Sequence, residues 1–313
     1  MTERRVRPRV VAVGFGVALV LATTTLAWLV SGAELSPAMT AARAVADLAA
    51  ATSLGLALVA RLDGPRYRDE VVNRAAGPLA VAAATWLVAE LIRLVLAAAQ
   101  ASGGAVTALS LPTLVDFAGS TAPGRAALFS VAAAAVVCVL VLAAPRSPGV
   151  GAATVGVVTA GIAARAVTGH VADGLLSSIS VVVHSLAAAL WFGTLAALAL
   201  TVSTRGQWAR VLPVFSRVAL PTVAVLVGTG VLTALTALGS AADLVQTGYG
   251  RVLLAKIGVT AAVLAVAWAH RTGWLVAATS HRLGARDSLR RCLVELGLLT
   301  AALTLAAGLT VTG

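Results

Sequence analysis

The sequence predicts an all-α fold, a polytopic membrane bundle of about nine transmembrane helices, and three observations lead there. Of 313 residues, 59% are apolar and only 11% charged, against roughly 25% charged in soluble domains. Mean hydropathy is +0.97, and apolar runs of about 20 residues, the length that crosses a bilayer, recur along the whole chain. In hydrocarbon an open strand or loop leaves backbone groups without partners, so each run must be a helix. These features exclude a soluble globular fold and a disordered chain.

Windows of about 19 residues place the spans at roughly 10–30, 38–60, 76–100, 125–144, 149–169, 177–203, 219–238, 251–270 and 292–311. The first run follows Arg4, Arg5, Arg7 and Arg9 and ends at Ser31-Gly32-Ala33, a pattern that also fits a cleavable signal peptide. At about 21 residues it exceeds the usual length of such a segment, so a retained helix is expected. Between the third and fourth spans, Leu109 to Phe117 suits a short surface helix. Pro221 is expected in the first turn of its span, where a missing N–H does little harm. Thr247 to Arg251 reads as a turn into the next span, and Gly228-Thr229-Gly230 as a place for close helix packing.

Arginines set the orientation. Besides the N-terminal four, Arg61, Arg66, Arg68 and Arg74 follow the second span, Arg146 the fourth, and Arg205, Arg210 and Arg217 the sixth. Arg271, Arg282, Arg286, Arg290 and Arg291 separate the last two spans. With nine crossings all of these share one face, which the positive-inside rule makes cytoplasmic: N-terminus in, C-terminus out. The opposite loops carry Glu34, Asp116, Asp173 and Asp243 and no Lys or Arg. The net charge of +11 is therefore a topology signal rather than a nucleic-acid surface, and the expected surroundings are membrane lipid. Cys138 and Cys292 lie singly in apolar runs, which rules out a disulfide framework or a CxxC metal clip.

Ionisable side chains inside a span cost about 2.5–3.5 kcal/mol each, so each is a functional candidate. Arg43 and Asp47 lie four apart on one helix face, and Glu90 and Arg93 three apart on another. Two compatible readings follow: self-neutralised pairs that join helices, and a hydrated cavity open to the outside. Arg165, His170, His184 and Lys256 fall in the same outer half, whereas Glu295 lies near the inner end of its span and suits a pair with Arg291. His270 and His281 fall in the basic segment and are expected to be solvated. His184 sits about eight residues into an apolar helix, and positions 184, 188, 191 and 195 share its face. Small Ala188 leaves room beside the ring. A neutral imidazole there is the form that binds metal, and a purely structural hydrogen bond is the other use for it.

An ordered series of short motifs carries a family resemblance from about Ala164 onward. It comprises Thr168-Gly169-His170, His184 followed by Trp191-Phe192-Gly193, Phe215-Ser216-Arg217, Gly228-Thr229-Gly230, Tyr249-Gly250-Arg251 with Lys256, and Arg291 with Glu295. In these the chain resembles the copper resistance protein D (CopD) family of integral membrane proteins, and its N-terminal half is similar to the matching half of longer members. The resemblance divides the chain into a four-helix module, 1–145, and a CopD-like five-helix module, 146–313, within one bundle. It implies copper as the metal handled, the bacterial cytoplasmic membrane as the location, and an extracytoplasmic copper-binding protein as a partner. Two departures stand out. Relatives often carry a further histidine between the positions of His170 and His184, and Met-rich clusters are missing, Met39 being the sole methionine after Met1. Tight trapping of Cu(I) by soft ligands is therefore not expected.

Within that frame His170, His184, Asp173, Asp47 and Glu90 are the candidate metal residues. His170 lies at an outer helix mouth and His184 about 12 Å deeper at 1.5 Å per residue. Two nitrogens that each approach one ion to about 2 Å cannot be so far apart, which makes them successive stations. His170 and Asp173 would capture the ion, His184 would receive it, and Asp47 and Glu90 would assist in the outer half. No P-loop, phosphorylated-aspartate motif or nucleotide-sized cytoplasmic segment is present, so the chain is not expected to be an enzyme. Movement would be passive, proton-linked, or by hand-off. Two other readings stand beside uptake or transfer: ligation of b-type haem by membrane histidines, His170 and His184 being 14 apart but separated by Asp173-Gly174, and a non-transporting assembly role for a copper enzyme.

Overall fold

In a computed structural model, residues 7–144, 148–168, 175–237, 240 and 242–312 are described, and among these the chain is helical with no strand. Twelve α-helices follow in order: α1 Arg7–Val30, α2 Pro37–Leu58, α3 Arg68–Ala101, α4 Leu111–Ser120, α5 Ala122–Ala143, α6 Pro148–Thr168, α7 Leu175–Thr201, α8 Arg205–Ala237, α9 Asp243–Gln246, α10 Gly248–Ala269, α11 Leu275–Thr279 and α12 Ala285–Thr312. A π turn, His270–Trp274, joins α10 to α11. Among the described residues eight helices are long and apolar enough to cross a membrane, and Gly14–Val30 of α1 is a further, shorter apolar stretch.

Local chemistry starts these helices cleanly. Ser36, Ser110, Thr121 and Thr247 each cap an N-terminus by accepting a hydrogen bond from a backbone N–H three residues on, and Pro stands in the first turn of α2, α4 and α5. Leu111–Ser120 is the short helix expected near 109–117, and the Thr247 cap is the expected turn into α10. Two helices begin earlier than hydropathy suggests. α3 starts at Arg68, with Asp69 and Glu70 in its first turn where the helix dipole favours acids. α8 starts at Arg205, so Pro213 and Pro221 are both interior and Pro221 does not occupy the first turn. Arg205, Gln207, Arg210 and Arg217 lower the mean hydropathy of turns that are nevertheless helical.

The central core runs through α2, α3, α5, α6, α7 and the first half of α8 and includes Trp86, Leu195, Leu198 and Trp208, all less than 2% exposed. Small residues allow this density, because van der Waals packing rather than the hydrophobic effect holds helices together in lipid. At the α2–α7 crossing Gly55 and Gly193 face one another, and a Cβ on either would collide with backbone of the other helix. Several membrane-buried hydroxyls are satisfied within their own helices, as where Ser53 donates to the Ala49 carbonyl (2.9 Å) and Thr304 to that of Thr300 (2.8 Å). α1 lies against α12 and α2, α8 leans on α7, and α10 on α12. Little of the apolar surface of α8 and α10 is covered, which makes them the periphery of the bundle.

One end of the bundle is held by polar contacts. Asp63, between α2 and α3, takes a two-pronged bond from Arg210 of α8 (2.9 and 3.0 Å), and that guanidinium lies 3.9 Å from the centre of the Tyr67 ring. Arg74 of α3 donates to Ser203 and Gln207 at the α7–α8 turn. At the opposite end Arg251 of α10 donates to the Val30 carbonyl (2.7 Å), closing α10 onto α1.

The α2–α7 approach generates a paired prediction. Gly193→Val should lower the melting temperature in detergent, by about 1–3 kcal/mol of stability or more, because the crossing cannot widen. Gly228→Ala, where an added Cβ meets nothing within 4 Å, should be neutral or slightly stabilising.

Candidate functional site

The intramembrane charges converge. Arg165 of α6 donates one guanidinium nitrogen to Asp47 of α2 and the other to Glu90 of α3, so a single side chain clamps three helices. Glu90 is fully buried. Its Oε2 accepts from Arg93 (2.5 Å) and its Oε1 also accepts from the Trp86 indole (3.1 Å), one turn earlier on the same face. Arg43 lies 3.9 Å from Asp47. The two local pairs visible in the sequence are therefore halves of one network, joined by a residue with no charged neighbour in sequence. Three guanidiniums face two carboxylates, and the Nε–H groups of Arg43 and Arg93 are buried without a hydrogen-bond partner. Donors outnumber acceptors, so a cation reaching either acid must displace a guanidinium.

His184 sits on another side of α7, against α8. Its Nδ1 lies 3.1 Å from the Leu226 carbonyl and 3.1 Å from Thr229 Oγ1. A carbonyl only accepts, so Nδ1 carries the proton and Nε2 the lone pair. The Thr229 hydroxyl donates to the Val225 carbonyl (2.7 Å), which leaves its oxygen free to share the Nδ1 proton. Gly230 makes the room: a Cβ there would stand 3.1 Å from Cε1 of the imidazole. Gly228-Thr229-Gly230 is thus partly a cradle for this ring, with Gly228 facing open space. Lys256 of α10 is near enough for its charge to act on the ring.

Of the five candidate metal residues, the structure joins Asp47 to Glu90 through Arg165 and seats His184 of α7 separately, against α8; His170 and Asp173 lie outside the described residues. No group of three or more His, Cys, Asp or Glu among the described residues is arranged to hold a metal. Two sequence expectations are corrected. Glu295 does not pair with Arg291; it accepts from the Trp191 indole (3.1 Å) and bonds His270 Nδ1 (2.7 Å). His270 is accordingly no solvated residue of a basic segment, its side chain being 12% exposed. The signal was an acid in the apolar part of α12, but its partners stand on other elements, 25 and 104 residues away.

Family models match both halves of the chain. That of copper resistance protein D covers residues 209–309, and that of the copper resistance protein D-like N-terminal domain covers residues 32–178. The chain belongs to the copper resistance protein D family. No curated protein and no solved structure matches it significantly. The N-terminal domain match takes in Asp47, Glu90 and Arg165, so the ionic clamp lies wholly within that CopD domain. The Thr229-Gly230 cradle belongs to the C-terminal one, and His184 falls between the two.

The clamp makes a stability prediction. Arg165→Met should lower the yield and melting temperature of this CopD protein sharply, by about 3–5 kcal/mol, because two acids lose their shared partner. Adding Glu90→Gln to that variant should restore part of the loss. Equal stability of wild type and Arg165→Met would show that the clamp is not structural.

Proposed function

We propose that this protein takes up copper or transfers it across the bacterial cytoplasmic membrane, spanning it nine times with the N-terminus inside and the C-terminus outside. His170 and Asp173 capture the ion at the outer mouth, and His184 receives it within the bundle. Asp47 and Glu90 lend negative charge in the outer half, with Arg43, Arg93 and Arg165 neutralising them while no ion is present. An extracytoplasmic copper-binding protein is the donor or acceptor.

One observation carries this reading: the His184 ring is fixed through Nδ1 by a carbonyl and a hydroxyl, which leaves the Nε2 lone pair available. Metal-binding imidazoles are oriented in this way, with the second nitrogen anchored by an acceptor, and imidazole suits copper. A site built from a single well-oriented imidazole with distant acids binds weakly. Weak binding suits passage, which needs an ion to leave as readily as it enters. The family match supports copper as cargo, and the absence of Met clusters from the sequence favours a site that exchanges its ion over one that traps Cu(I).

The test is copper accumulation in cells carrying equal membrane levels of wild type and variants. His184→Ala should reduce accumulation to the level of cells without the protein, and Thr229→Val should weaken copper binding about 10-fold through loss of ring orientation. Undiminished accumulation with His184→Ala removes that residue from the mechanism. A Soret band in the purified protein would replace copper passage by haem chemistry.

A further inference from the structure

The lower part of the groove between α8 and the π turn holds a cavity of about 240 Å³, distinct from the clamp and from the His184 cradle. Trp191, Phe215, Trp268 and Trp274 contribute to its walls, and the polar groups His270 and Glu295 also line it. Trp268 and a further wall residue, Leu220, are 67% and 52% exposed on the peripheral helices, so the cavity communicates with the lipid-facing surface. We propose that it binds the ring of a lipid-soluble phenol or quinol, whose hydroxyl meets the His270–Glu295 pair while its tail remains between α8 and α10 in the bilayer.

The donor and acceptor pattern selects that class. Glu295 is 2% exposed and, unlike Asp47 and Glu90, touches no guanidinium; its partners are an indole N–H and an imidazole. With the Nδ1 proton directed at the carboxylate, His270 presents Nε2 as an acceptor. Trp274, one helical turn on and 5.1 Å from His270 in an edge-on contact, has a buried indole N–H without any partner. The wall thus offers an acceptor to which a hydroxyl donates, while the Trp274 N–H stays buried in the packing. Flat aromatic walls favour a flat ring. The volume lies just under the 300–1,000 Å³ of drug-sized pockets, which fits a ring system and not a whole long-chain lipid.

Other occupants fit less well. Arg271 at the rim already commits Nη1 to Ser216, at its carbonyl (3.0 Å) and hydroxyl (2.7 Å). His270 and Glu295 have no third metal-binding side chain beside them among the described residues.

The experiment titrates the purified full chain in detergent micelles with 2-naphthol and with naphthalene, following tryptophan fluorescence and subtracting partition into empty micelles. The expected result is saturable 2-naphthol binding at least about tenfold tighter than naphthalene, the factor that one net hydrogen bond supplies. His270→Phe should abolish that preference. Ala219→Phe, which fills the cavity without touching the His–Glu pair, should abolish binding of both probes and remains decisive if His270→Phe does not fold. Equal binding of the two probes, a preference that survives His270→Phe, or binding that survives Ala219→Phe overturns the proposal. So does displacement of 2-naphthol by dioleoylphosphatidylcholine alone, which would mark a plain lipid crevice.

Discussion

A charge inside hydrocarbon must find a partner or be expelled, and in this protein the partner is Arg165. Its two guanidinium nitrogens reach carboxylates on two other helices, so the α2–α3–α6 face cannot separate without stranding ions in lipid. Close packing and charge reinforce one another here. Gly161 of α6 lies under the Trp86 ring, and Trp86 in turn donates to the Glu90 carboxylate that Arg165 holds. The glycine pair at the α2–α7 crossing extends the same dense core to the helix that carries His184.

The bundle treats its acids in two ways. Asp47 and Glu90 are held by permanent cations, which suits a structural clamp. Glu295 is held by an indole and an imidazole, which keep it hydrogen-bonded without cancelling its charge by a fixed cation. Both histidines described inside the bundle are oriented through Nδ1, His184 by backbone and hydroxyl and His270 by carboxylate. Each thereby keeps Nε2 as its second, acceptor nitrogen, and His270 lines the cavity beside α8.

Much of this was legible in the residues because it is local. Helix spans follow from apolar length, the short helix near 109–117 and the turn into α10 from their local residues, and the Arg43–Asp47 and Glu90–Arg93 pairs from spacing on one face. What escaped is what joins distant segments. Arg165 is a solitary cation until α6 is laid beside α2 and α3. Glu295 has Arg291 one turn away in sequence, yet its helix turns it toward α7 and the π turn. The first turns of α8 were invisible to hydropathy because their arginines lie at the polar end of the bundle, where Arg210 meets Asp63. Gly228-Thr229-Gly230 read as a packing motif; only the neighbouring helix reveals that Thr229 and Gly230 hold an imidazole.

The most direct measurement is X-ray absorption at the copper edge of the metal-loaded protein in detergent. Nitrogen ligation with the outer-shell scattering of an imidazole, diminished in His184→Ala at equal protein, is the result predicted by a ring held through Nδ1 with Nε2 free. Ligation unchanged by that substitution, or made up of sulfur alone, would contradict the placement of His184 on the copper route.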